Sequence, residues 1–182
     1  MKKSDIQQLL EESYNPLKKD VGKYKIDKSL SSKRVKVFQD PETQRAFVVH
    51  RGTANLKDWA TDLSMAFGFE SGKRFKHSKK VQKAATKKYG KQNITTLGHS
   101  LGGRLAEKYH KGDGQIITLN KAATPRSIRR IVPKNQTDYR HSKDLVSYLS
   151  KYQKYTTKPI TIESKSINPI TVHKTDILNE IN

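Results

Sequence analysis

Apolar positions along the chain fall into short runs with two different periods. Ile6, Leu9 and Leu10 recur at helical spacing, Ser4 stands where a cap is wanted, and Asn15-Pro16 closes the helix near Tyr14. Residues 17–32 are lysine-rich and alternate only weakly, which predicts a loop with one edge strand near Tyr24–Ile26. Arg34 to Gln39 opens in polar–apolar alternation, Asp40-Pro41-Glu42-Thr43 reads as a turn, and Gln44 to His50 predicts a second strand. Its Ala46-Phe47-Val48-Val49 run suits the centre of a sheet. Leu56, Trp59, Ala60 and Leu63 share a helical face, read equally as core-facing or as a lid. A longer helix is predicted over 76–89, with Val81, Ala84, Ala85 and Tyr89 inward and Gly90 as its stop.

Ile94-Thr95-Thr96-Leu97 is a short β-branched strand, and a helix follows almost at once, through Leu105, Tyr109 and His110 to Gly112. Gln115 to Leu119 reads as a buried strand, 120–125 as loop and 127–131 as a helical turn. Further strand ends fall in 139–146 and 160–162. Strands alternating with helices predict an α/β protein with a mostly parallel central sheet flanked by helices. No repeat or boundary interrupts 1–182, so one domain is expected, with the N-terminal helix and loop 1–33 packed on it.

Composition modifies this picture in two ways. Only 33% of the residues are hydrophobic and the mean hydropathy is −0.85, so a small interior lies under a heavily solvated surface. The 37 Lys and Arg against 17 Asp and Glu give a net charge of +20, a field that attracts nucleic acid, anionic lipid or another polyanion. Lys79, Lys80, Lys83, Lys87 and Lys88 on the long helix read first as a solvated face and secondly as an anion-binding one. Cysteine is absent, which excludes disulfides and thiolate metal sites. No apolar run approaches a membrane span, and Ser4-Asp5 interrupts the pattern of a secretory signal, so a cytoplasmic or otherwise intracellular location is expected.

Between the strand at 94–97 and the helix after it lies Gly98-His99-Ser100-Leu101-Gly102. A serine at the apex of a strand-to-helix turn is held in a strained backbone that lifts its Oγ clear of the sheet, and the helix behind it aims N–H groups at a developing oxyanion. Ser100 is therefore the candidate nucleophile. It needs a base and an orienting acid, in the chain order serine, acid, histidine. His110 lies too far along the helix and His141 precedes the best acid, which leaves His173. Asp144, at a strand end, is preferred as the acid, with Asp138 the rival and Asp113 and Glu163 weaker choices. The N–H of Leu101 and that of Thr53, in the turn after an earlier central strand, are the candidate oxyanion donors. His50 and His99 read as structural.

These residues resemble the class 3 lipase family of α/β-hydrolases. The likeness is carried by Val48-Val49-His50-Arg51-Gly52-Thr53, by Asp58-Trp59-Ala60-Thr61-Asp62-Leu63, and by Ile94 to Gly103, and it spans about 35 to 175. It implies a minimal α/β-hydrolase fold with Ser100, Asp144 and His173 as catalytic residues and Thr53 and Leu101 as the oxyanion hole. It also implies a lid over an acyl groove around Leu56 and Trp59, and carboxyl-ester hydrolysis through an acyl-enzyme without metal or cofactor. His50 stands where the family usually has an aromatic, and Arg74-Phe75-Lys76-His77 departs from the family pattern before the long helix. The segments between Ser100 and His173 are short, which favours shorter esters or phospholipids over long-chain triglycerides.

The expectation is a serine ester hydrolase of lipase or phospholipase type, acting on an ester or lipid substrate with an anionic membrane surface as a possible workplace. Acyl transfer to an alcohol would use the same residues. The competing expectation is a catalytically inactive scaffold that binds nucleic acid or another polyanion through its basic surface.

Overall fold

The structure is a computed structural model and describes residues 1–53, 72–124, 127–163, 168–175 and 178. Helix α1 (Lys3–Glu12) leads into β1 (Lys25–Ile26), β2 (Val35–Gln39) and β3 (Ala46–His50). Helix α2 (Lys73–Tyr89), β4 (Ile94–His99), α3 (Leu101–Tyr109) and β5 (Ile116–Leu119) follow. The chain continues through β6 (Ile131–Val132), β7 (Gln136–His141), β8 (Lys154–Tyr155), β9 (Ile160–Ile162) and a short α4 (Pro169–Val172).

One sheet runs in the order β1-β2-β3-β4-β5-β7-β9, while β6 and β8 form a separate parallel pair. β1, β2 and β3 are antiparallel neighbours, and every pair from β3 to β9 is parallel. Because the parallel strands run the same way, their C-terminal ends share one edge: His50 is level with Gly98, and His99 with Leu119. This is the mostly parallel sheet with flanking helices expected from the alternation of elements.

The two faces are filled by alternate residues of the same strands. Phe47 and Val49 of β3 join Ile6, Leu9 and Leu10 of α1 on one side. Ala46 and Val48 meet Val81 and Ala85 of α2 on the other. Phe75 of α2 packs with Leu101 and Leu105 of α3, so the two helices share that second layer. Burial on both faces explains why β3 and β5 are mainly apolar runs without alternation.

Local chemistry shifted several expected boundaries. α1 starts at Lys3, not after Ser4, because the Asp5 carboxylate accepts the Lys2 backbone N–H at 3.2 Å and the Tyr24 hydroxyl at 3.0 Å. α3 stops at Tyr109, short of Gly112: His110 turns to an extended backbone and its Nδ1 lies 2.8 Å from Thr96 Oγ1. The strand end expected within 139–146 is that of β7, Gln136–His141, whose polar side chains are satisfied by buried partners. The helix expected at 54–63, with Leu56 and Trp59, falls outside the described residues. Leu10 is fully buried against the sheet, so Leu10→Ala should lower unfolding free energy by about 3 kcal/mol, read from the denaturant midpoint.

Candidate active site

β4 passes into α3 through the single residue Ser100, whose φ of 57° and ψ of −127° lie in a region that L-residues rarely adopt. Such a backbone costs about 1–3 kcal/mol and persists only where its surroundings impose it. Here the Ser100 N–H donates to Leu119 O at 3.0 Å, and Ser100 O accepts from the N–H groups of Gly103 and Ala122. The flanking glycines are required by close approach. A Cβ on Gly98 would lie 2.2 Å from Gly102 O, and one on Gly102 would lie 1.9 Å from His50 O. Gly103 is less constrained, its added Cβ coming no nearer than 3.2 Å to Gly98 O.

The turn after β3 presses on the same serine. A Cβ on Gly52 would sit 3.0 Å from Ser100 Cβ, and Arg74 Nη2 donates to Gly52 O at 2.8 Å and also to Arg51 O, tying the turn to the start of α2. Thr53 is the next residue. Leu101 is the first residue of α3, where backbone N–H groups have no partner within the helix, and its side chain is held in the α2–α3 cluster.

Asp144 and His173 meet at this edge. Asp144 follows β7, and its Oδ2 accepts the Ser147 N–H at 2.7 Å while Oδ1 lies 2.6 Å from His173 Nδ1. A carboxylate there makes Nδ1 the protonated nitrogen and leaves Nε2 as the basic one. The His173 ring lies 4.7 Å, centroid to centroid, from that of His99, the residue before the serine. The stretch 168–173 contains α4, and His173 follows its last residue.

Asp138, the rival acid, is engaged elsewhere. It accepts from Thr118 Oγ1 at 2.6 Å and Gln136 Nε2 at 2.7 Å, and pairs with Lys121 at 2.6 Å. Lys121 also pairs with Glu107, which pairs with Arg104, so two cations and two anions neutralise one another between α3 and the sheet. Burial pushes the Lys121 ammonium down, but the carboxylates of Asp138 and Glu107 outweigh it and raise it. Asp113 lies beside Lys91 O, and Glu163 accepts from Ser142 Oγ. Neither is the partner of His173.

Two supports of the site were not legible in the sequence. His99 Nε2 lies 2.5 Å from His173 O and Nδ1 lies 2.6 Å from Tyr14 Oη. A carbonyl only accepts, so Nε2 donates to it and Nδ1 accepts from the Tyr14 hydroxyl. The second is Asn120, at φ 45°, whose Nδ2 donates to Val172 O and whose Oδ1 accepts the His141 N–H, both at 2.9 Å. One side chain thus joins the ends of β5 and β7 to the residue before His173. The sequence signal was an asparagine directly after a buried strand, a residue type that tolerates a left-handed backbone.

A cavity of about 700 Å³ opens at the opposite sheet edge, lined by Lys2, Lys23, Arg45, Thr95 and Gln115 among others. It has no serine or histidine in its lining and lies away from Ser100.

Residues 4–152 match the model of the Tle-like phospholipase domain, described as phospholipase-like. The chain belongs to that family. A search of curated proteins gives no significant match. Among solved structures, Lip2 lipase from Yarrowia lipolytica is similar with TM-score 0.56 at 15% identity, over 94% of this chain and 81% of that one. A deletion mutant of Rhizomucor miehei lipase, in complex with its propeptide, gives TM-score 0.54 at 13% identity, over 99% and 76%. These likenesses show the fold. This chain therefore has the fold of these lipases, in keeping with the resemblance to class 3 lipases. Among the described residues, no helix is long and apolar enough to cross a membrane.

Burial holds His50 down at about 4, against a hydrogen bond to Gln82, and His99 down at about 3, with the charge of His173 adding to the effect. Both are neutral when folded, whereas the unfolded chain takes up protons below about pH 6.5. Their stabilisation is therefore present above that pH and is lost as pH falls towards the folded values. Between pH 7 and 5 each histidine should remove about 2 kcal/mol, and His50→Gln should flatten a plot of unfolding free energy against pH.

Proposed function

We propose that this chain is a serine ester hydrolase of lipase or phospholipase type, acting through an acyl-enzyme on carboxylic esters, with lipid esters as its substrates. One observation carries the reading: His173, paired with Asp144, has its ring 4.7 Å from that of His99, the residue before a serine held in a left-handed backbone.

As the Ser100 Oγ–carbon bond forms, its proton passes to His173 Nε2, and Asp144 stabilises the resulting imidazolium without taking the proton. The N–H groups of Leu101 and Thr53 receive the oxyanion of the tetrahedral intermediate. Collapse breaks the ester C–O bond, and the alcohol leaves with the proton held by His173. Water then gives a proton to His173, its oxygen attacks the acyl carbon, and the carboxylic acid departs as Ser100 recovers its hydrogen. These steps draw on no metal or cofactor. The family's phospholipase description and the short segments after Ser100 support phospholipids or shorter esters. An alcohol in place of the second water would give acyl transfer, which product analysis with an added alcohol distinguishes.

A second reading has one observation in its favour. The exposed positions of α2 include Lys73, Lys76, Lys79, Lys80, Lys83 and Lys87, with no acidic residue in the helix. An inactive scaffold binding nucleic acid through this face would show salt-steep binding indifferent to Ser100→Ala.

A fluorophosphonate probe should label the wild-type chain and fail to label Ser100→Ala. Turnover of a short-chain nitrophenyl ester should fall by at least about ten-thousand-fold in Ser100→Ala, and by roughly a hundred- to ten-thousand-fold in Asp144→Asn. An unlabelled, folded wild type would overturn the proposal.

A further inference from the structure

The segment directly after Asp144 has its polarity reversed. In a domain that buries its apolar side chains, residues 144–153 bury Asp144, Ser147, Ser150 and Gln153 and expose Leu145, Tyr148 and Tyr152. The exposures are 61% for Leu145, 48% for Tyr148 and 58% for Tyr152. Val146 stays inside and Leu149 is half-buried. Hydrogen bonds hold the segment in this orientation: Asp144 accepts the Ser147 N–H, Ser150 Oγ donates to Ser147 O, and Gln153 Nε2 donates to Ser127 O. The loop therefore keeps its apolar groups outside by construction.

Its charge is equally one-sided. Lys143, Lys151, Lys154 and Lys158 are all exposed, and between 142 and 159 the single acidic residue, Asp144, is buried. Glu163, bonded to Ser142, is the nearest exposed carboxylate in sequence. Lys151 Nζ lies 3.5 Å from the Tyr148 ring centroid and 5.0 Å from that of Tyr152, so one ammonium is held between two exposed rings. Ile131, at 70% exposure, is the register partner of Lys154 and adds another apolar group to the same stretch.

Tyrosine rings and a leucine interspersed with lysines match the chemistry of a bilayer interface. There, rings settle at headgroup depth, apolar tips enter the acyl boundary, and ammonium groups meet phosphate. Within 142–159 lysines are exposed and no acid is, which selects an anionic surface. We infer that the face formed by Leu145, Tyr148, Lys151, Tyr152 and Lys154 docks this domain on anionic phospholipid bilayers. It starts one residue beyond Asp144, on the loop leaving the C-terminal edge of the sheet, so docking brings the Ser100 edge to the lipid. The inference rests on the lipid-ester reading for its purpose, but the binding itself needs no turnover.

The test uses the full chain carrying Ser100→Ala, so that binding is read without hydrolysis. Co-sedimentation at low ionic strength should show strong partitioning onto equimolar phosphatidylcholine–phosphatidylglycerol vesicles and roughly tenfold less onto phosphatidylcholine alone. Adding Leu145→Ser, Tyr148→Ser and Tyr152→Ser changes no charge and should weaken binding to the anionic vesicles by about tenfold or more. Tyr152→Ser alone, at an exposed position, should weaken it about threefold should the triple variant unfold. Lys79→Gln, Lys80→Gln and Lys83→Gln together should have the smaller effect.

The inference fails if the apolar substitutions leave binding unchanged, if the α2 substitutions abolish it instead, or if neutral and anionic vesicles bind alike. It also fails if sedimentation velocity shows a dimer that Tyr152→Ser dissociates, or if the face retains RNA rather than vesicles. Vesicle binding without fluorophosphonate labelling would remove the hydrolase reading and leave the docking face standing. Labelling without vesicle binding would do the reverse.

Discussion

The passage from β4 to α3 has no loop, and that constraint organises everything at the C-terminal sheet edge. A strand can become a helix in one residue only if the residue accepts a left-handed backbone and the helix passes almost against the strand. Gly98 faces Gly102 and Gly102 faces His50 O, so β3, β4 and α3 meet at backbone distance. Larger side chains at these points would force the helix away from the sheet, and the hydrogen bonds that hold Ser100 in place would lengthen together.

A second rigid link keeps the far end of the chain at the same point. His99 accepts from Tyr14, just after α1, and donates to the carbonyl of His173, near the C-terminus. Protonation of His99 would leave two donor nitrogens and no acceptor for the tyrosine. Burial excludes that form, and the same burial drives the Tyr14 phenol well above its usual value, so both groups stay neutral. The link is a chain of neutral hydrogen bonds, which suits a site expected to handle one proton at a time on His173.

Charge is distributed with a clear division. Inside, Arg104, Glu107, Lys121 and Asp138 form a closed set in which each ion has an opposite partner. Removing one member would strand a buried charge, which fixes the loop after β5 against α3. Outside, cations dominate, and they coincide with exposed tyrosines in the segment that carries Asp144. The molecule thus keeps its polar precision within and leaves a basic, partly apolar exterior on one stretch of chain. In a phospholipase-like domain, the proposed ester-cleaving edge would then lie beside the proposed docking surface.

Features with local causes were legible along the chain. The strand–serine–helix order around Gly98 and Gly102, the apolar runs of β3 and β5 and the periodicity of α2 are written in adjacent residues, and with them came the α/β class and the resemblance to class 3 lipases. The acid could be narrowed to Asp144 against Asp138 by chain order, but which one meets His173 depends on contacts between residues far apart in sequence. Asp138 is occupied by Thr118, Gln136 and Lys121, while the turn at Ser147 holds Asp144 towards the histidine. The roles of Tyr14, Asn120 and Arg74 leave no periodic or compositional trace, since each is one side chain bonding a distant backbone or ring. The reversal of polarity after Asp144 also emerged only in three dimensions, because Leu145, Tyr148 and Tyr152 would pass along the chain as ordinary core residues. Sequence fixes what a segment can form, and packing decides which of its faces turns inward.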